Sequence, residues 1–578
     1  MTQKSKLVVL KFGSSVLRSE DDLPKAVHEI YRYWRDGAQV IAVASAFGNT
    51  TDQLMQRAEK ICEHPDESVL PGLLATGEAV ASALLALALK KVGIPVRLLD
   101  EIQARLHTVG GLIDATPVEV DTLRLINESR RAVVIIPGFV GRDENGERAL
   151  LGRGGSDLTA LFLAHHLKAQ CVLVKDVDGI YTSDPAVGLP NAARFAQASY
   201  ETALRLGSQV VQKKALRFAA NRKLRFTISN VGAQSQTEVG PFGDRLDGSA
   251  FSSPPLRITL LGCGTVGGGV YQRLAELPNL FEVVGVGSRT SKRALATGVP
   301  AHLATTDVDE LLERECDVVV ELIGTTEYAA RLAIKALTSH RHFVTANKAL
   351  MAVEGDRLCS LACDYDVTVS YSAAVGGALP ALEAVARARR FGPIKSISGV
   401  LNGTTNFVLD RIVEGVSFKE AIEEAQQSGY AEANASFDLD GIDAAQKLVL
   451  LARKAFGKQI TFTEIQRRGI CEADVDFVRD ARRRGCAVRL VAKCSESPDG
   501  LTASVKLTDL QPGHPLATVT GVENGLIIEP KHGELTSIYG AGAGRWPTTE
   551  AVMADLFNLN RKQLVNRAEE FEPLEVCA

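Results

Sequence analysis

The chain has little tryptophan or methionine and no large surplus of charge of either sign. Its 578 residues include 2 Trp and 4 Met, and the formal net charge is −4. Without a basic surplus, a chain lacks the electrostatic attraction that holds nucleic acid or an anionic membrane surface. The apolar stretch from Ala79 to Leu89 is too short for a membrane span. We therefore expect neither nucleic acid nor membrane as a partner, and we interpret this stretch as a buried helix.

The 10 cysteines are scattered and form no CxxC pair or metal-ligand spacing. The apolar run Leu7–Leu10 is too short for the core of a signal peptide. Reduced thiols and the absence of a leader favour a cytoplasmic protein.

The pattern of apolar residues predicts an α/β fold. Hydrophobic residues make up 46% of the chain and charged residues 23%, as in ordinary globular proteins. Short apolar strands alternate with helical segments, which favours mainly parallel sheets. Strands are predicted at 39–44, 95–99, 132–136, 171–174, 257–262, 281–286, 317–321, 342–345 and 367–370, with helices around 76–91 and 158–168.

A Gly-, Ser- and Pro-rich segment before residue 256 predicts a linker between two halves. Near residue 394 the pattern changes to mixed helix and strand, which is typical of an α+β domain. The predicted domains are a first α/β domain (1–235), a linker (236–255), a Rossmann-type dinucleotide-binding domain (256–390), an α+β substrate domain (391–540) and a segment returning to the nucleotide domain (541–578).

A G-x-G-x-x-G turn follows the first strand of the second half. Its glycines are Gly262, Gly264 and Gly267, and Thr265 and Val266 lie between them. The first glycine allows a tight turn, the second a close approach of pyrophosphate, and the third close packing of helix on strand. The helix that follows adds N–H groups and its dipole. We expect a dinucleotide here.

The loop after the next strand is basic. It carries Arg289 and Lys292, followed by Arg293, where a protein that binds NAD usually has an acidic residue for the ribose hydroxyl. Guanidinium and ammonium groups attract a 2′-phosphate. The sequence therefore predicts NADPH, with Arg289 as the main contact.

Asp443 and Lys447 are spaced i,i+4 on a predicted helix, so they share one face. Glu432 and Asp438 lie just upstream. Carboxylates suit a substrate ammonium, and a lysine suits proton transfer to a developing oxyanion. On spacing alone, a surface ion pair is the simpler interpretation.

The first half has two candidate anion sites. Lys11 precedes a turn at Gly13, where a lysine and backbone N–H groups can neutralise a transferring phosphate. Two glycines then place Arg153 beside Ser156 and Asp157 at a helix start. The acidic turn that follows carries Asp176 and Asp178, with Tyr181 just after it. These residues could bind the nucleotide or its Mg²⁺, or the two aspartates could simply form an ordinary turn.

The second half resembles homoserine dehydrogenases. The resemblance rests on GCGTVG (262–267), VTANKAL (344–350), YSAAVGGALP (371–380), LNGTTNFVL (401–409) and GYAEANASFDLDGIDAAQK (429–447). It implies NADPH-dependent reduction of aspartate 4-semialdehyde to homoserine. Lys348 and Lys447 match the two catalytic lysines, and either could donate the proton. Asp443 matches the carboxylate that orders the substrate end, and Glu432 and Asp438 match residues that hold the substrate.

The same resemblance implies a monovalent-cation loop, for Na⁺ or K⁺, at Val375, Gly377 and Leu379, which bind through backbone carbonyls. Many relatives have Glu at the position of Ser372. It also implies a homodimer or higher homo-oligomer.

The first half resembles the amino-acid kinase family, aspartokinases in particular. KFGSS (11–15), SAFGNTTD (45–52), ATGE (75–78) and GRGGSD (152–157) carry the resemblance. It implies phosphorylation of aspartate by ATP with Mg²⁺. Thr51, Glu78, Arg153, Ser156 and Asp157 would bind substrate, and Gly13, Asp176 and Tyr181 the nucleotide.

Two residues depart from the kinase pattern. Ala186 stands where relatives often have Arg, and Gln209 stands where a nucleotide-contacting lysine is expected. Lys213 or Lys214, one turn on, could substitute. No segment resembles the ACT regulatory domains that usually separate the two enzymes, so we expect no feedback control through them. Two alternatives stay open for this half: an inactive kinase-like module, or a kinase for another acid such as glutamate. For the second half, a non-catalytic dinucleotide sensor is the alternative.

Overall fold

The computed structural model describes residues 6–183, 192–232, 235–247, 254–432, 434–498 and 500–570, with backbone alone for 562–570. Contacts divide the chain into two units, centred on residues 3–252 and 253–565. Each unit is built on its own hydrophobic core. They are described one after the other.

The first unit is an α/β domain on a nine-stranded sheet. Its strands are β1 (Leu7–Phe12), β2 (Gln39–Ala44), β3 (Val96–Leu98), β4 (His107–Val109), β5 (Thr116–Glu119), β6 (Val133–Pro137), β7 (Val140–Arg142), β8 (Arg148–Leu150), β9 (Gln170–Lys175), β10 (Phe195–Ser199), β11 (Phe226–Asn230), β12 (Thr237–Gly240) and β13 (Arg245–Leu246). The strand order is β13-β10-β12-β11-β9-β1-β2-β6-β3, and β5-β4-β7-β8 form a second, four-stranded sheet.

The helices of this unit are α1 (Leu23–Arg35), α2 (Thr50–Ile61), α3 (Leu70–Lys91), α4 (Thr122–Ser129), α5 (Gly155–Leu167), α6 (Tyr200–Leu206) and α7 (Lys213–Asn221). The central strands β9, β1, β2 and β6 run parallel. Their side chains are almost wholly buried, as expected for a parallel sheet covered on both faces. Helix α5 packs against β1 with nearly all of its residues buried.

Helix α3 is long and apolar enough to cross a membrane by length and composition, the one such helix among the described residues. Half of its most apolar window is buried inside the domain. Leu74, Leu85 and Leu89 are buried in the protein interior. This matches a core helix of a folded domain, as the sequence predicted.

The predicted linker is wrong for residues 237–246. Strand β12 pairs with both β10 and β11, and β13 extends the same sheet beyond β10. Thr237 and Val239 of β12 are fully buried. The segment looked like a linker because its strands are short and its turns are rich in Gly, Pro and Asp. Residues 248–253 lie outside the described residues.

The second unit begins with a six-stranded parallel sheet in the order β16-β15-β14-β17-β18-β19. Its elements are β14 (Leu256–Leu261), α8 (Thr265–Ala275), β15 (Phe281–Gly287), α9 (Ser291–Ala296), β16 (Ala304–Thr305), α10 (Val308–Leu311), β17 (Val318–Glu321), α11 (Thr326–Thr338), β18 (His342–Thr345), α12 (Lys348–Asp364), β19 (Val369–Ser370) and α13 (Ser372–Gly376). This is the predicted Rossmann-type domain.

A second six-stranded sheet follows, in the order β21-β23-β22-β20-β24-β25. Its elements are α14 (Ala381–Phe391), β20 (Ile394–Val400), α15 (Gly403–Val413), α16 (Phe418–Gln427), α17 (Ser436–Leu439), α18 (Ile442–Phe456), β21 (Gln466–Arg467), α19 (Val475–Arg483), β22 (Ala487–Ser497), β23 (Gly500–Leu510), β24 (Glu523–Pro530) and β25 (Thr536–Ala541). Its long strands pair antiparallel, and α18 packs against β20 and β22. The predicted α+β character after residue 394 is confirmed.

The last helix, α20 (Arg545–Glu570), packs on the Rossmann-type sheet rather than on the sheet that precedes it. The ring of Phe557 meets that of Phe281 edge to face at 5.0 Å. Glu550 pairs with Arg273 of α8 at 3.3 Å. The chain thus returns to complete the nucleotide domain.

Candidate active sites

The glycine turn after β14 has the geometry that a dinucleotide site requires. Gly262 has φ +102°, and a Cβ there would lie 2.6 Å from the Leu322 carbonyl oxygen. A Cβ on Gly267 would lie 1.8 Å from the Gly262 carbonyl oxygen, so helix and strand could not approach. A Cβ on Gly264 would meet only Arg293, 3.8 Å from its Nη2. Two glycines therefore serve packing, and the third leaves an open cradle at the start of α8.

Exposed basic side chains follow β15 beside this cradle. Arg289, Lys292 and Arg293 are all exposed, and the strand ends without an acidic residue. The buried hydroxyl of Ser288 donates to the Thr290 carbonyl oxygen at 2.8 Å, which fixes the turn that carries Arg289. The loop can thus offer several cations to an anion on the neighbouring ribose.

Asp443, in the second unit, lies between two lysines. Its carboxylate is 2.6 Å from Lys348 Nζ and 2.9 Å from Lys447 Nζ. Lys348 begins α12 directly after β18, at the carboxyl end of the parallel sheet, where open α/β sheets bind ligands. Asp443 and Lys447 lie on α18 and are buried, so the pair is no surface ion pair. The two lysines hold the pKa of Asp443 far below its usual range despite its burial.

The two lysines differ in what else they contact. Lys447 Nζ also donates to the Leu401 carbonyl oxygen at 2.8 Å. Lys348 retains 33% side-chain exposure, and its Nζ lies 5.4 Å from the centre of the Phe437 ring. Lys447 is therefore fixed inside the domain, whereas Lys348 faces accessible space.

Asn402 joins the two candidate substrate carboxylates, a residue that sequence reasoning missed. Its Nδ2 donates to Asp438 at 2.7 Å and to Asp443 at 2.9 Å. Its Oδ1 accepts from the backbone of Thr405 and caps α15. Burial raises the pKa of Asp438, and the charge of Asp443 adds to this effect. Asn402 lies in the motif LNGTTNFVL and precedes a helix as its N-cap, and these were the available signals for it.

Glu432 is exposed, and its backbone carbonyl oxygen accepts from Gln426 Nε2 at 3.2 Å. Among the described residues, no contact joins its carboxylate to Asp438 or Asp443. The structure thus brings together Lys348, Asp438, Asp443 and Lys447, but not Glu432.

A second buried aspartate lies between two lysines in the first unit. Asp157 Oδ1 is 2.7 Å from Lys11 Nζ, and its Oδ2 is 2.8 Å from Lys175 Nζ. Lys11 is on β1 and Lys175 ends β9, neighbouring parallel strands, while Asp157 lies in the first turn of α5. Burial, together with Lys175, lowers the pKa of Lys11 to about 8, although Asp157 opposes this shift. Lys175 was not predicted, because adjacent strands distant in sequence bring it here.

Gly13 lies in the turn after β1, where a Cβ would come 3.0 Å from Lys11 Nζ. A side chain at this position would crowd the ammonium group of Lys11. Glu78, on α3, is buried and accepts from the backbone of Ala46 at 3.3 Å. Its second oxygen has no hydrogen-bond partner among the described residues. Burial raises the pKa of Glu78 to about 7.

A pocket of about 550 Å³ is lined by Arg153, Gln212, Lys213 and Lys214, among others. Arg153 and Lys213 are exposed. Lys214 pairs with Asp114 and donates to the carbonyl oxygens of Ala115 and Leu151, so it is held away from Asp157. Gln209 is exposed on the surface. Neither lysine suggested as its substitute contacts Asp157.

Tyr181 donates its hydroxyl to Asp178 at 2.7 Å, and Asp178 pairs with Arg194 at 3.5 Å. This network holds the turn after β9, so the Tyr181 hydroxyl is already engaged. Asp176 is exposed at the strand end, Ser156 is buried at the start of α5, and Thr51 is half-buried on α2. Ala186 lies outside the described residues.

Comparison with known proteins identifies the family. Models of homoserine dehydrogenase and of its NAD binding domain match residues 380–557 and 262–372. The homoserine dehydrogenase of Synechocystis sp. is 36% identical over 316 residues, covering 53% of this chain and 73% of that protein. This chain belongs to the homoserine dehydrogenase family. The homoserine dehydrogenase of Neisseria gonorrhoeae is 33% identical over 342 residues, 56% of this chain and 78% of that protein.

The crystal structure of a homoserine dehydrogenase from Thiobacillus denitrificans matches with a TM-score of 0.52 and 34% identity, covering 56% of this chain and 77% of that one. The amino acid kinase family model matches residues 6–230. The predicted combination of an amino-acid kinase domain with a homoserine dehydrogenase is therefore confirmed. Only residues 231–261 separate the kinase and NAD-binding matches, fewer than an inserted regulatory domain needs.

The loop compared with the cation site of homoserine dehydrogenases bends sharply at Gly377, which has φ +50°. A Cβ on Gly377 would lie 3.1 Å from the carbonyl oxygens of Ala541 and Gly542, so two carbonyl-bearing segments meet here. Val375 and Leu379 are buried on either side. The Ser372 Oγ lies 2.6 Å from a Glu383 oxygen and 2.9 Å from an Asp555 oxygen, so its one proton can be donated to either carboxyl group. A carboxylate thus lies close to the position where many relatives carry Glu.

Proposed function

We propose that the second half reduces aspartate 4-semialdehyde to L-homoserine and that NADPH is its cofactor. The observation that supports this most strongly is the cluster in which the accessible Lys348, at the carboxyl end of β18, meets the buried Asp443 and Lys447. The cofactor, when bound at the glycine turn, supplies hydride to the aldehyde carbon. The protein must then stabilise charge on the aldehyde oxygen and deliver a proton to it.

Lys348 is the proposed proton donor. Its ammonium is accessible, whereas Lys447 already donates to Asp443 and to the Leu401 carbonyl oxygen. Asp443 orients both ammonium groups, because its two carboxylate oxygens lie 2.6 Å from Lys348 Nζ and 2.9 Å from Lys447 Nζ. In this proposal Lys447 is a positioning residue, and Asp438 with Glu432 binds the amino and hydroxyl ends of the substrate.

Arg289 is the proposed contact for the 2′-phosphate, aided by Lys292. The open cradle at Gly264 and the basic loop after β15 support NADPH over NADH, since no acidic side chain ends that strand. Carbonyl groups around Val375, Gly377 and Leu379 would hold Na⁺ or K⁺. The proposal includes a cytoplasmic homodimer or higher homo-oligomer. The described cysteines are free, as expected in a reducing compartment.

The first half, in this proposal, phosphorylates L-aspartate with ATP and Mg²⁺. Lys11 and the Gly13 turn face the transferring phosphate, and Asp157 positions Lys11. Glu78, buried with one unpartnered oxygen, would accept the ammonium of aspartate. Thr51, Arg153 and Ser156 would complete the substrate site, with Asp176 and Tyr181 on the nucleotide side.

Two assays on the purified full chain test both activities. The first measures aspartate-dependent ADP release with ATP and Mg²⁺, and the second NADPH oxidation with aspartate 4-semialdehyde. We expect both, and we expect Lys11→Met to abolish the first while leaving the second as an internal control of folding. An active dehydrogenase without ADP release would favour the alternative, a kinase-like module that has lost catalysis. Absence of NADPH oxidation would refute the dehydrogenase proposal.

A further inference from the structure

Lys175 is a buried cation that no motif assigned a role. It is the last residue of β9, 6% exposed, and its ammonium contacts both oxygens of Asp157 at 2.8 and 3.0 Å. Lysines are rarely buried without a paired group, and this one shares its partner with Lys11. Its position therefore calls for a second negative charge.

The charges around Asp157 do not balance. Two ammonium groups face one carboxylate, and all three side chains are at least nine-tenths buried. Glu78, whose carboxyl group interacts with Lys11, has its own pKa raised to about 7 by burial, so it is only partly ionised at neutral pH and does not fully offset the second ammonium group. A surplus positive charge in a buried place is costly unless an anion offsets it. A Cβ on Gly13 would lie 3.0 Å from Lys11 Nζ and 4.0 Å from Lys175 Cδ, so the glycine brings the backbone of this turn close to both lysines.

The lysine expected at position 209 is glutamine, and the two nearby candidates do not fill the gap. Lys214 is held by Asp114 and two carbonyl oxygens, and Lys213 is exposed at the pocket wall. Lys175 reaches Asp157 from a different element, β9. Position 209 itself lies in the turn between α6 and α7.

We propose that Lys175 replaces the lysine lost at Gln209 and that, with Lys11, it binds the phosphoryl group that the kinase half transfers. This deepens the kinase function proposed above and rests on it. Asp157 then holds two ammonium groups at a spacing set by adjacent strands. In the transfer, the bond from the terminal phosphorus to the bridging oxygen of ATP breaks and one to a substrate carboxylate oxygen forms. The negative charge remains on phosphate oxygens beside the two lysines.

The test uses the full chain with Lys175→Met, Lys175→Arg and Lys213→Met, and with Lys90→Met as a control that removes an exposed lysine of α3. We expect Lys175→Met to lower kcat for aspartate-dependent ADP release about 10²- to 10³-fold, with NADPH oxidation unchanged. Lys175→Arg should recover part of the rate. The thermal unfolding temperature should not fall in Lys175→Met, because a one-to-one pair of Lys11 and Asp157 remains.

A pH profile separates this role from a structural one. Lys175 helps to lower the pKa of Lys11, so its removal should move the alkaline limb of the kcat profile to higher pH. The charged groups to consider there are Asp157, Lys11, Lys175 and Glu78. A profile that stays in place while kcat falls would overturn the proposal, as would an unchanged kcat in Lys175→Met or a loss confined to Lys213→Met.

Binding of inorganic tripolyphosphate, measured by titration calorimetry, keeps this inference separate from the kinase proposal. If the wild-type chain releases no ADP, the kinase function fails, yet the two-lysine phosphate site can still be judged. Tighter binding to the wild-type chain than to Lys175→Met, with recovery in Lys175→Arg, supports the site. Equal binding to the wild-type chain and Lys175→Met overturns it.

Discussion

Both halves of this chain hold a buried aspartate between two lysines, but they build the arrangement differently. In the dehydrogenase, Asp443 and Lys447 lie one turn apart on a single helix, and Lys348 comes from the start of another. In the kinase-like half, Lys11, Asp157 and Lys175 come from two strands and a helix. The same charge arrangement is thus local in one half and assembled by sheet topology in the other. Local spacing can be recognised in a sequence, and strand adjacency cannot.

We expect the Asp443 and Asp157 centres to act independently, each supporting only one of the two activities. The largest expected effects come from removing either aspartate's charge. Asp443→Asn should reduce NADPH oxidation about 10²- to 10³-fold, because both ammonium groups lose the carboxylate that orients them. Asp157→Asn should abolish ADP release in the same way. Each variant should leave the other activity within about twofold of wild type, since each centre is built from residues of its own unit and the two share no partner group.

The matched control is Asp440→Asn, an exposed aspartate close to Asp443. It should retain both activities. If Asp443→Asn also lowered ADP release, the two centres would be coupled and the comparison would fail.

Glu78 provides a further test of the kinase-like half. Its carboxyl group is buried, and one of its oxygens has no hydrogen-bond partner among the described residues. Its pKa is raised from 4.5 to about 7 by burial. The folded state therefore binds the proton more tightly than the unfolded state, and the free energy of unfolding falls as pH rises between these values. The shift corresponds to about 3 kcal/mol as an order of magnitude. Glu78→Gln should remove this fall, as measured by urea unfolding followed at several pH values.

The same group should control substrate binding. An aspartate ammonium needs the ionised form of Glu78, so the KM for aspartate should rise as pH drops below about 7. A KM that stays constant between pH 6 and 8 would remove Glu78 from the substrate site.

The smallest expected effect concerns the basic loop. Arg289→Ser should raise the KM for NADPH about tenfold, the loss of roughly one charge-assisted contact to a phosphate, and leave the KM for NADH nearly unchanged. NADH, which lacks the 2′-phosphate, serves as the control within the same protein. Equal effects on both cofactors would mean that Arg289 contributes to the fold of the loop rather than to specificity.

Sequence alone predicted the α/β class, the glycine turn and the shared helix face of Asp443 and Lys447, because each depends on local pattern or spacing. It did not predict that this pair is buried, and its proposed catalytic role came from the resemblance to homoserine dehydrogenases. It missed Lys175 and Asn402, whose partners lie 18 to 41 positions away. It also assigned residues 237–246 to a linker, since short edge strands carry too few apolar residues to show a pattern. The tertiary fold decides which strands pair with each other and which polar side chains come to link groups that are distant in sequence.

Helix α20 has a consequence for how the protein is made. The Rossmann-type sheet is translated long before the helix that covers Phe281, with the whole substrate domain in between. During synthesis, the nucleotide domain thus emerges from the ribosome with an apolar face uncovered, and it closes only after residue 557 is available. The core of the Rossmann-type domain is therefore completed late in synthesis, although its glycine turn lies near the middle of the sequence.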